Sequence, residues 1–168
     1  MSWIVHLVSL LEILLLVHVA TLDIATRLIR NEVCLALAFL GIAGQLASSM
    51  QIVQSLIVAA ILLLLLLVAF TRGWMGGGDV KLLVALAIGL PLTGVIQLLT
   101  ITALAGGVLA VVHLMMRQLP YPRLAPAGSS VVRRVYAVER WRHLRQAPLP
   151  YGVAIACGGI WTALSKGI

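Results

Sequence analysis

The run VKLLVALAIGLPLTGVIQLLTITALAGGVLAVVHLMM, residues 80–116, decides the fold. One membrane crossing takes about twenty apolar residues, so this run is too long for one comfortable helix and short for two. Pro91-Leu92-Thr93-Gly94 supplies a turn signal near its middle. Charge decides whether the chain reverses there. With a single crossing, the Arg-rich stretch Arg117–Arg145 would face away from Arg27, Arg30, Arg72 and Lys81. With two crossings, all of these cations share one side and Lys166 alone is left on the other. Cytoplasmic loops concentrate Lys and Arg, so the chain is expected to cross twice.

Outward from that run, further apolar segments lie at Trp3–Leu22, Val33–Met50, Ile52–Phe70 and Tyr151–Leu164. The expected fold is all-α: a polytopic bundle of about six transmembrane helices, with residues 1–168 as a single integral membrane domain. The composition agrees, because 62% hydrophobic and 10% charged residues leave too little polar surface to cover a soluble globule. The net charge of +7 is divided among the connections between apolar runs. That division argues for a topology signal and against nucleic-acid binding, which needs a basic stripe on one face. Cys34 and Cys157 stand alone, so neither a zinc site nor a disulfide framework is expected, and no metal or cofactor is called for. Met1-Ser2-Trp3-Ile4 lacks a basic leader region, and the first segment is expected to remain in the mature protein.

The same count of crossings puts the N-terminus outside, together with Ser48-Ser49-Met50-Gln51. Asp23 then closes helix 1 and Asp79 opens helix 4, both at the cytoplasmic edge. Carboxylates at such a depth cost free energy unless something uses them. Two that meet cannot both ionise cheaply, so one keeps a proton while the other stays anionic. The anion can take a proton from water as that water attacks a peptide carbonyl, and the acid can hydrogen-bond the carbonyl oxygen and then assist the leaving amine. Such a pair titrates as a unit.

Gly76, Gly77 and Gly78 precede Asp79, and glycine admits both close backbone approach and positive φ. Alone, the run also reads as a flexible turn. It lacks the spacing and the terminal Lys-Ser/Thr of a phosphate loop. Gly76-x-Gly78-Asp79 with Lys81 resembles the Gly-x-Gly-Asp motif of type IV prepilin peptidases, an intramembrane aspartic protease family. Asp23 matches that family's first catalytic aspartate. Ile29 and Asn31 fit its downstream Ile-Pro-Asn pattern, with Arg30 where proline is usual. Pro150-Tyr151-Gly152-Val153-Ala154-Ile155-Ala156 is similar to the segment that opens the family's final helix. The resemblance implies a catalytic pair Asp23 and Asp79, pilin-like precursor substrates, and an inner-membrane location with the site facing the cytoplasm. The connection from helix 1 to helix 2 is too short for the cysteine-bearing domain of the larger members. A cleavage-only enzyme of the Tad/Flp type, without N-methylation, is therefore expected; neither substrate identity nor oligomeric state can be read.

Other residues carry plainer readings. Glu12 faces the helical side of Asp23 but about 16 Å away along the axis, which suits a hydrogen-bonded interior side chain. His6, His18 and His113 are scattered singly. Lys81 has two readings, tuning of Asp79 or a topology anchor. The stretch Arg117–Pro150, with Val131, Val135 and Val138 at helical spacing, reads as a segment lying on anionic lipid or gating substrate. A rival class is a membrane subunit or small proton or cation transporter using Asp23, Asp79 and Glu12. Close, cytoplasm-facing aspartates favour hydrolysis, whereas carboxylates strung along an aqueous path favour transport.

Overall fold

The computed structural model describes residues 2–48, 52–118 and 149–166. Six helices and no strands occur among them: α1 Ser2–Thr26, α2 Asn31–Ser48, α3 Ile52–Thr71, α4 Gly77–Ile88, α5 Leu92–Gln118 and α6 Tyr151–Ser165. The all-α expectation holds, and the long run does break at Pro91. Gly89 and Leu90 close α4 with tight backbone bonds to Leu86 and Ala87, and Val95 N–H then bonds the Pro91 carbonyl as α5 begins. By length and composition, α1, α3 and α5 contain stretches able to cross a membrane: Trp3–Thr26, Ile52–Thr71 and Leu92–Met115. Asn31–Leu46 and Tyr151–Ser165 are shorter apolar helices, and α4 has 12 residues.

The chain divides into two compact units, Met1–Gly106 with Pro150–Ile168, and Gly107–Leu149. Of the second, the described part is mainly the continuation of α5 through Gln118. The expectations placed on Val131, Val135, Val138 and the arginines from Arg123 to Arg145 lie outside the described residues, as do Ser49, Met50 and Gln51.

Within the first unit α4 is central. It packs on α2, α3 and α6, while α1 packs on α2 and α6. Its Leu82 and Leu83 are fully buried with Leu16, Leu37, Leu98 and Ile155. The outward residues of α1 and α3, such as Leu14, Leu64 and Leu65, are exposed and apolar, as lipid-facing surface requires. Small residues set the closest approaches. A Cβ on Gly41 would stand 2.7 Å from the Gly89 Cα, so α2 and α4 meet backbone to backbone. Beside that contact the buried Gln45 donates its Nε2 to the Ile88 carbonyl at 2.7 Å, satisfying an acceptor at the end of α4.

α1 and α6 are joined at the far end by charge. Lys166 Nζ lies 3.3 and 3.2 Å from the two carboxylate oxygens of Glu12, which is 4% exposed. The expected interior placement of Glu12 is correct. What it bonds is the cation that the charge count had left alone.

Candidate active site

Helix ends bring the chemistry together. α1 runs on to Thr26, past the expected boundary at Leu22, so Asp23 lies inside its last turn. Thr26 Oγ1 caps back to the Leu22 carbonyl, and Arg27 stops the helix by adopting φ 58° while its N–H bonds the Asp23 carbonyl at 3.0 Å. This is the left-handed stop that glycine usually provides. Asp23 is 5% exposed.

α3 ends in the same way, with Gly73 at φ 73° and paired bonds from Gly73 N–H to Phe70 and Trp74 N–H to Ala69. Positive φ is therefore needed at Gly73 and not in the glycine triplet, where Gly76 has φ −72° and caps α4. Gly77 and Gly78 are the first two residues of that helix, so the triplet is not a loose turn.

Its glycines serve close approach. A Cβ on Gly77 would stand 3.2 Å from the Phe70 ring, and one on Gly78 would stand 3.2 Å from Ile29. One on Gly76 would stand 3.1 Å from Asp79 Oδ2. The end of α3 and the α1–α2 connection thus clamp the start of α4. Asn31 tightens the clamp by accepting from Lys81 Nζ at 3.1 Å. Ile29 and Asn31, on either side of Arg30, both grip α4, whereas Arg30 pairs with Glu32 on the exposed surface.

Asp79 occupies the third position of α4, from which its carboxylate reaches back to the Gly76 backbone. It precedes the apolar run at Val80 and lies outside the three long spans. Burial pushes its carboxyl up to about 6, the nearby charge of Asp23 adds to that, and the Gly76 backbone bond opposes both. Asp23, far away in sequence, is therefore near enough for its charge to be felt at Asp79. The Lys81 ammonium is engaged by Asn31.

Gly152 escaped the sequence reading as a site residue. It lies in the first turn of α6, and a Cβ there would stand 2.8 Å from Asp23 Cγ and 2.9 Å from Oδ2. The match at Pro150–Ala156 was the available signal, but no spacing rule tied it to Asp23. His6 and His18 are exposed, and no group of three His, Cys, Asp or Glu side chains suited to a metal occurs among the described residues.

No curated protein and no solved structure matches the chain. The profile of the type IV leader peptidase family matches residues 10–111, more than half of the chain, and takes in both aspartates, the glycine triplet, Ile29, Asn31 and Lys81. By that match the chain belongs to the type IV leader peptidase family, the prepilin peptidases, which are aspartic endopeptidases.

Proposed function

We propose that Asp23 and Asp79 are the catalytic dyad, and that the enzyme removes the leader from type IV or Flp-type pilin precursors at the cytoplasmic face of the inner membrane. The observation that carries this is the packing of the start of α4, which bears Asp79, against the α1–α2 connection that follows Asp23, through Gly78 on Ile29 and Lys81 on Asn31. In its active form the pair holds one proton. The anionic member draws a proton from water as the water oxygen attacks the scissile carbonyl. The protonated member hydrogen-bonds the carbonyl oxygen, and the proton is then delivered to the departing amine.

The N-terminus lies outside, the arginine-bearing connections lie inside, and residues 1–168 act as one peptidase domain. A bond at the cytoplasmic end of the precursor's apolar helix is then within reach of the dyad without entering the lipid interior. The helix α1 to helix α2 connection, Arg27 to Arg30, supports cleavage without N-methylation, since it has no room for an additional domain. A transport reading draws no support from Glu12, which is held by Lys166 and stands about 16 Å along α1 from Asp23.

Asp23→Asn and Asp79→Asn each keep the shape of the site while removing its proton chemistry. Each variant, inserted and folded, is expected to lose on the order of 10²–10⁴-fold or more in cleavage of a purified precursor in liposomes. Substantial turnover by either folded variant refutes the dyad.

A further inference from the structure

The first turn of α6 forms a wall against Asp23. A Cβ on Gly152 would lie 2.8 Å from Cγ, 2.9 Å from Oδ2 and 3.1 Å from Cβ of that aspartate. Carbon contacts normally settle at about 3.5–4.0 Å, so even one methyl group would push the carboxyl or the helix by roughly half an ångström or more. No other glycine in the site is so tightly opposed: Gly76, Gly77 and Gly78 each keep 3.1 Å or more to their neighbours.

We propose that Gly152 is a positioning residue for the peptidase reaction. By carrying no side chain, it lets the α6 backbone set the depth and rotamer of the Asp23 carboxyl opposite Asp79. The inference rests on the dyad reading above. Asp23 needs such a wall because it stands in the last turn of α1, where its own carbonyl is taken by the Arg27 stop. An aspartate's terminal torsion is broad, so its neighbours must fix the plane of the carboxyl.

The wall itself cannot easily recede. Pro150 is buried, and the Tyr151 ring lies against Gly106, where a Cβ would stand 3.2 Å away. Further along α6, Gly159 meets Leu16 and Leu86 at 2.8 and 3.1 Å by the same measure. At the far end Lys166 bonds Glu12 of α1. α6 is therefore docked on α1 along its whole length, and a methyl group at Gly152 displaces the movable partner, the Asp23 carboxyl.

Gly159→Ala is the matched control, since it inserts the same methyl group into the same interface but against Leu16 instead of Asp23. The full-length protein, reconstituted in liposomes, is assayed with a purified pilin precursor. Gly152→Ala is expected to lower kcat about a hundredfold, the scale of a misplacement of up to 1 Å, with KM within about twofold. Gly159→Ala is expected to lower the thermal midpoint at least as much while keeping kcat within about threefold. Wild-type kcat in folded Gly152→Ala, or kcat losses that merely follow the midpoint in both variants, overturns the proposal.

If Gly152→Ala alone does not fold, Asp23→Ala combined with Gly152→Ala decides, because truncating the aspartate opens space for the methyl group. Recovery of folding supports the contact, and continued failure refutes it. A dead Asp23→Asn beside a fully active Gly152→Ala sinks this inference alone. An active Asp23→Asn sinks the dyad reading first.

Discussion

Replacing Lys166 with methionine would strand a buried charge. The ammonium lies within 3.3 Å of both oxygens of Glu12, whose side chain is 5% exposed, and is itself 25% exposed. At 3.2 Å and an effective dielectric constant of about 20, the attraction is about 5 kcal/mol, much of it offset by desolvation of both ions. Removing one member of a buried pair costs about 3–5 kcal/mol. The partial exposure of Lys166 puts this case lower, at about 2–3 kcal/mol.

Lys166→Met is therefore expected to lower the unfolding free energy in micelles by that amount. Glu12→Gln added to it should recover at least half, because no uncompensated ion then remains. Cleavage by the folded fraction should be unchanged, since Glu12 lies about 16 Å from Asp23 along α1. Equal stability of Lys166→Met and the wild type, or no recovery in the double variant, would refute the reasoning. A fall in kcat without loss of fold would bring Glu12 into the catalytic machinery.

Two further outcomes follow from distances and burial. Asp79 is raised from 3.8 to about 6, so the fold holds a proton that the unfolded chain has already released over that interval. On the dyad reading, loss of the Asp79 proton above about pH 6 is expected to lower kcat/KM on that side; a rate flat from about pH 5 to 8 would contradict this. Gly89→Ala places a Cβ 2.6 Å from the Gly41 Cα and should cost about 3 kcal/mol, the upper end for overpacking, because backbone meets backbone. Gly41→Ala opens the same contact, so in denaturant melts the double variant should lose less than the sum of the two; strict additivity would mean the contact is not shared.

That Asp23 falls near the end of α1 and Asp79 at the start of α4 was legible, because the apolar runs break there. The pairing of Lys166 with Glu12 was not. Helices in lipid are apolar on most sides, since lipid and helical neighbours have similar polarity, and their weak periodicity does not say which face turns inward. For the same reason Gly152 could not be assigned to Asp23, although the motif around it was visible. The glycine triplet misled in one respect. Its composition suggested positive φ, but the tertiary need was room for Phe70, Ile29 and the Asp79 carboxyl, while Gly73 took the left-handed turn.

The brevity of α4 bears on the membrane as well as on the protein. Its 12 residues rise about 18 Å, against a hydrocarbon thickness of about 30 Å. Asp79 at one end and the Gly89–Pro91 turn at the other cannot both reach the surfaces of an undeformed bilayer. Protein neighbours cover much of the helix, so lipid need not match it directly, but water must descend to the dyad or the bilayer must thin around it. Hydrophobic mismatch is thus built into α4, and on the dyad reading acyl-chain length becomes a variable of the hydrolysis itself.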